Sequence, residues 1–201
     1  IDENVSGAFA TDEQGVLDVT GAASLQEAIA ASESATAVQN LTNEVTNIVT
    51  ALDGDIAGQA DVFLNGARES VRTEETNFGN LTADANLAAA QEVDADVVVS
   101  IKNGGGIRAS IGELVDNGDG TSSLLPTAAN PLSGKEEGEI SELDIDNALR
   151  FDNGLSLVEL TPAELKIILE HGVAATEDGA TPGQFPQVGG IRFSFDPSET
   201  A

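Results

Sequence analysis

Between residues 38 and 52 the apolar positions are Val38, Leu41, Val45, Ile48 and Leu52, in steps of three and four. That spacing puts them on one helical stripe, and Gly54 is a natural stop. Other helices are predicted from their starts. Ser24 and Glu27 have capping-box spacing, and Ser141 with Asp144 can cap a helix through Leu149. Thr161-Pro162-Ala163-Glu164 supplies an N-cap, a proline at the first helical position and an acid at the third. Leu165, Ile168 and Leu169 then form its apolar face. Gly79 to Val93 is Ala-rich and reads as a helix with Leu81 and Leu87 inward.

Strand patterns lie between these helices. Val5–Phe9 and Gly15–Val19 read as two strands around an acidic turn. Ile56–Leu64 is a third, closed by Asn65-Gly66. Val71-Arg72-Thr73 reads as extended, and Asp96–Ile101 as a buried strand. Residues 112–139 are loop-like, with a hairpin tip at Asp116–Gly120. Leu155, Leu157 and Leu160 suggest a strand, and Ile191, Phe193 and Phe195 alternate in a last one. The irregular mixture predicts an α+β (mixed α/β) fold, with a mixed sheet packed with helices.

Composition narrows the function. The 201 residues carry 35 acidic and 8 basic side chains, a net charge of −27. Phosphate backbones are bound through Lys and Arg, so a nucleic acid polymer is excluded as partner. Leu, Ile, Val and Phe make up roughly a quarter of the chain, above the range of disordered sequences. Cys is absent and His occurs once, which excludes thiolate and multi-histidine metal sites. No apolar run reaches the ~18 residues of a membrane span. Scarce Lys and abundant acid fit an extracellular or periplasmic, salt-adapted surface; a merely acidic soluble protein fits as well. A start at Ile1 rather than Met fits a cut or processed chain.

The densest chemical signal is Asn103-Gly104-Gly105-Gly106-Ile107-Arg108. Three glycines after a strand allow close backbone approach, and their N–H groups, Gly105's among them, can meet a polar ligand. The Lys-Ser/Thr pair of a phosphate-binding P-loop is missing. On spacing alone, a tight turn with a surface arginine reads slightly better. Arginine is scarce: Arg68, Arg72, Arg108, Arg150 and Arg192. One beside a glycine turn suits an anion or ribose, unless a carboxylate takes it. Arg150-Phe151-Asp152-Asn153-Gly154 is a second candidate, with Phe151 either a loop ring or a core filler. His171 reads as a helix C-terminal residue. Asp116–Asp119 lacks the acidic spacing of a calcium loop.

Together these residues resemble the C-terminal domain of the 5′-nucleotidase family. The blocks are Val71–Ala85 with its Glu75-Thr76-Asn77-Phe78-Gly79-Asn80, then Asn103–Arg108, Gly138-Glu139-Ile140, Phe151-Asp152-Asn153, Leu160–Leu165 through Leu169-Glu170-His171, and Gly183–Gly190. The resemblance covers roughly residues 35–201. It implies three parts: residues 1–23 as the end of an N-terminal metallophosphoesterase domain, 24–54 as an interdomain connector helix, and 55–201 as an incomplete substrate-binding domain.

In such a family the N-terminal domain holds two divalent metal ions and the C-terminal domain grips the nucleotide. The resemblance implies that Phe151 stacks on the base and that Asn153 lies beside it. Arg72, Asn103, Gly105 and Arg108 fall on the ribose and phosphate side. It also implies no catalytic residue, metal or cofactor in this stretch, and a weakly held nucleotide or nucleoside as ligand. The partner is the N-terminal catalytic domain of a parent hydrolase. Three departures stand out. The metal-binding domain is almost wholly absent. Arg150 replaces the proline usual before the stacking Phe, and the family's final segment, with a second stacking Phe, has no counterpart after Gly190. A nucleotide-sugar hydrolase or cyclic-nucleotide phosphodiesterase of the same superfamily, or a non-enzymatic acidic module, remains an alternative.

Overall fold

The computed structural model describes residues 10–196 and 198. The described residues cluster into two compact units, divided between Ala51 and Leu52. The predicted strand Val5–Phe9 lies outside the described residues.

In the first unit, α1 (Glu13–Thr20) is followed by α2 (Leu25–Ala30). The strand predicted at Gly15–Val19 is therefore a helix. Asp12 accepts a hydrogen bond from the Gly15 N–H at 2.8 Å, and Gly21 closes the last turn at φ 68°. The acidic residues expected to form a turn are the N-cap and first helical turn. At α2, Ser24 caps as predicted and receives the Glu27 N–H. The Glu27 carboxylate receives the Ala23 N–H, one residue before the cap. The stripe helix, α3 (Glu33–Gly54), starts earlier than its stripe and ends at the predicted glycine.

The second unit has an α+β organisation. Its strands lie in three two-stranded antiparallel sheets. β1 (Ile56–Gln59) pairs with β5 (Glu139–Ser141), β2 (Ser100–Asn103) with β6 (Pro186–Gly189), and β3 (Glu113–Asp116) with β4 (Ser122–Leu125). The last pair is the hairpin expected around Asp116–Gly120. Helices α4 (Arg68–Val71), α5 (Asn77–Val93), α6 (Glu142–Ala148) and α7 (Pro162–Val173) complete it. Leu64, Val71, Phe78, Ile107, Ile111, Ile140 and Ala148 form one buried cluster. Two of the three predicted capping boxes are complete, Ser141 with Asp144 and Thr161 with Glu164.

Several predicted strands are shorter or absent. β1 stops at Gln59, and beyond it Leu64 makes only an isolated bridge to Ile111. The strand expected from Asp96 starts at Ser100, because the Asp94 carboxylate receives the Asp96 N–H and holds a turn there. Val98 is consequently exposed. Residues 151–160 have no regular structure, and the alternating Leu155, Leu157 and Leu160 are exposed. Ile191–Phe195 forms no strand either; β6 precedes it and Gly190, at φ 79°, follows its end. Leu81 points outward on α5, whose buried face is Phe78, Gly79, Thr82, Ala83 and Ala90. On α7, Ile168 is exposed while Leu165 and Leu169 are half-buried.

Candidate functional site

β2 runs directly into a single 3-10 turn, Gly104–Gly106. Glycine is required at its first position. A Cβ on Gly104 would stand 1.8 Å from the Val71 carbonyl oxygen, and one on Gly105 would stand 2.8 Å from that of Gly183. The Gly104 N–H donates to the Phe185 carbonyl at 2.7 Å, and the Gly105 N–H to Gly183 at 2.9 Å. Contrary to the expectation from sequence, these two N–H groups are not free for a ligand. They weld the turn to the 183–185 loop, so the turn faces outward mainly through its flanking side chains.

Arg72 follows α4 as its C-terminal cap, at φ −109° and ψ 2°, and is not extended as predicted. A four-residue turn of helix from Arg68 places the two arginines one turn apart. The Arg72 side chain is 7% exposed. Its Nη1 donates to the Thr181 carbonyl at 3.2 Å, while its buried Nε has no partner among the described residues. Burial lowers its pKa, and the nearby charges of Arg68 and Arg108 lower it further.

Arg108 is exposed. Its backbone N–H donates to the Ala148 carbonyl at the end of α6, and its Nη1 reaches the Gly105 carbonyl at 3.4 Å. Its guanidinium carbon lies 5.7 Å from the centroid of the Phe151 ring, within cation–π range. Phe151 is 52% exposed, so it is not a core filler. Arg150 beside it folds back onto the Asn147 carbonyl through Nε and Nη2. Asn103 donates from Nδ2 to the Gly183 carbonyl at 3.2 Å. Asn153 is exposed, and its backbone N–H donates to the Phe151 carbonyl at 3.0 Å.

Arg72, Asn103, Gly105 and Arg108 thus gather on one turn, with Phe151 reached through Arg108. No arginine forms an ion pair among the described residues; the salt bridges involve only Lys135 and Lys166. Arg68 is a neighbour that the motif reading does not place. Its signal is the four-residue step to Arg72, which puts both on one helix face. A separate open groove of about 790 Å³ lies between Thr73–Glu75, Asn80 and Asp84 on one side and Phe185–Phe195 on the other. It shares no residue with the arginine and Phe151 cluster.

Comparison with known proteins shows the family. The family described as "5'-nucleotidase, C-terminal domain" matches residues 56–201. The trifunctional nucleotide phosphoesterase protein YfkN of Bacillus subtilis is 38% identical over 138 residues, covering 69% of this chain and 8% of that protein. Human 5′-nucleotidase is 33% identical over 144 residues, covering 69% of this chain and 21% of its own length. The crystal structure of a 5′-nucleotidase precursor from Thermus thermophilus superposes with a TM-score of 0.61 at 31% identity, over 81% of this chain and 27% of that one. The chain therefore belongs to the 5′-nucleotidase family and carries its C-terminal domain. It spans less than a third of the length of these relatives.

Proposed function

We propose that this chain is the base- and ribose-recognition unit of a 5′-nucleotidase-type hydrolase that removes phosphate from nucleotides. The observation that carries this reading is the pairing of Arg108 with an exposed Phe151 beside an arginine-lined glycine turn. An exposed ring offers a face for a base, and such stacking is worth ~1–3 kcal/mol by truncation. Arg72, Asn103 and Arg108 supply donors for ribose or phosphate oxygens, and Asn153 lies beside the base position. The absence of arginine–carboxylate pairs among the described residues of so acidic a chain favours this reading over an inherited acidic scaffold. The relatives, a trifunctional nucleotide phosphoesterase and 5′-nucleotidases, support the substrate class.

The two divalent metals implied for the parent do not fit the residues in hand. Among the described residues no three His, Cys, Asp or Glu side chains group so as to hold a metal ion. In this reading the hydrolytic step belongs to the N-terminal domain of a parent chain, in an extracellular or periplasmic setting. This chain alone is expected to release no phosphate from AMP.

The test is calorimetric titration with adenosine. Weak binding is expected, at best near millimolar, about 4 kcal/mol. Phe151→Ala should abolish it while leaving the melting temperature within a degree or so of the parent's, since the ring is half exposed. Unchanged adenosine binding in Phe151→Ala would refute the reading.

A further inference from the structure

The chain has three lysines, Lys102, Lys135 and Lys166. Lys135 is buried and paired with Asp53 and Asp144. Lys166 pairs with Glu170 one turn along α7. Lys102 makes neither an ion pair nor a side-chain hydrogen bond among the described residues, in a chain with 35 carboxylates. It is half-buried on β2, next to Asn103.

Its place explains what it lacks. Lys102 Nζ lies 3.9 Å from where a Cβ on Gly106 would stand, and Asn103 Oδ1 lies 3.5 Å from the same point. An ammonium and an amide oxygen therefore flank the last glycine of the turn. On the preceding glycine, Arg108 Nη1 holds the Gly105 carbonyl. Arg72 Nη1 lies 3.8 Å from the Cβ position of Gly183, the residue that receives the Gly105 N–H. Three of the eight basic side chains, Lys102, Arg72 and Arg108, therefore lie around one three-residue turn, and Arg68 stands one helical turn before Arg72. Arg68 and Arg108 repel Arg72, and the burial of Arg72 and of the unpaired Lys102 ammonium adds a cost. An anion seated among them removes both penalties.

We infer that Lys102 is an anion-binding residue of this site, and that it gives the site a preference for a phosphorylated nucleoside over the neutral nucleoside. The inference rests on the nucleotide reading proposed above. Burial lowers the Lys102 pKa, as expected for an ammonium with no counter-charge nearby. Had Lys102 only a packing role, its stem would suffice and the terminal charge would be dispensable.

Three probes separate these roles in the 201-residue chain: inorganic phosphate, adenosine and AMP. The variants are Lys102→Met, which keeps the stem, and Lys102→Arg, which keeps the charge. In the parent, inorganic phosphate should shift the Gly106 amide resonance; in Lys102→Met it should not. Lys102→Met should weaken AMP about tenfold, equivalent to about 1.4 kcal/mol, with adenosine unchanged. Lys102→Arg should restore most of the AMP affinity. AMP binding unaltered in Lys102→Met, or AMP and adenosine weakened by the same factor, overturns the inference, as does a parent chain whose Gly106 amide ignores phosphate. A phosphate response that depends on Lys102, together with no adenosine binding, overturns instead the nucleoside reading and leaves the anion site standing.

Discussion

Lys135 Nζ donates to the Asp53 carboxylate at 3.0 Å, and both side chains are buried, at 5% and 10% exposure. Both residues belong to the second unit, where the pair joins the last turn of α3 to a segment 82 residues later. It is not isolated. Asp53 also accepts hydrogen bonds from Asn130 Nδ2, Ser133 Oγ and Ser141 Oγ, and Lys135 also reaches Asp144, the capping-box acid of α6. One buried lysine therefore ties together a helix end, a loop and a helix start. Breaking such a pair from one side leaves an uncompensated buried charge, at a cost of about 3–5 kcal/mol. Lys135→Met should lower stability by that amount in urea melts, and a loss under about 1 kcal/mol would show that water already reaches the network.

The same cluster sets an acid limit. Burial pushes the Asp53 carboxyl up, but hydrogen bonds from Ser133, Asn130, Lys135 and Ser141 outweigh it and hold its pKa at about 2. A carboxyl lowered from 3.8 stabilises the fold fully above 3.8, and that contribution fades as pH falls toward about 2. Lys135 is raised: burial alone would lower it, but its bonds to Asp144 and Asp53 and their charges win. Its contribution is full below 10.5 and is lost only as pH rises through the higher folded value. The stability gap between the parent and Asp53→Asn should therefore be flat from pH 5 to 9 and shrink between pH 4 and 2. A gap that stays constant through pH 2 would show that Asp53 titrates normally.

The turn at Gly104–Gly106 makes a graded prediction. A Cβ on Gly104 would overlap the Val71 carbonyl oxygen at 1.8 Å, which is backbone and cannot swing aside. On Gly106 the nearest atom is Asn103 Oδ1 at 3.5 Å, an ordinary contact. Gly104→Ala should destabilise the domain and abolish adenosine binding, because the turn must move away from the end of α4 that carries Val71 and Arg72. Gly106→Ala should melt within about 0.5 kcal/mol of the parent, the range of surface changes. Equal melting of the two variants would mean that the turn is not clamped.

What the sequence made legible follows from how far each signal reaches. Caps and turns are local, so Ser141 with Asp144, Thr161 with Glu164 and the Asp116–Gly120 tip all appear where spacing put them. Strand propensity is contextual. Leu155, Leu157 and Leu160 alternate as a strand should, yet no strand among the described residues pairs with them, and the segment is irregular. The site is legible where a motif holds it together. Asn103 and Arg108 bracket one glycine run, and Phe151 precedes Asp152-Asn153. Lys102 sits beside that motif without marking itself, because a single lysine carries no spacing signal. The Asp53–Lys135 pair is invisible for a related reason, since its partners are far apart in the chain.

Charge gives the last prediction. The chain carries a net −27, yet the described ion pairs number three and involve only two lysines. Most carboxylates therefore face water and one another. Added salt shortens the Debye length from ~10 Å at 0.1 M to ~3 Å at 1 M, which removes most repulsion between exposed charges. The attraction it can weaken is small, because the Lys135 cluster is buried and the Lys166–Glu170 pair on the surface contributes little. Repulsion outweighs attraction, so the melting temperature should rise steadily from low salt to molar NaCl. Sucrose at matched osmolality separates screening from general exclusion at the surface. If sucrose raises the melting temperature as much as NaCl does, or if NaCl leaves it flat, the acidic surface is not a salt-dependent one. A rise specific to NaCl would support the proposed salt-adapted setting, with the size of the rise reporting how many carboxylates lie within a Debye length of one another.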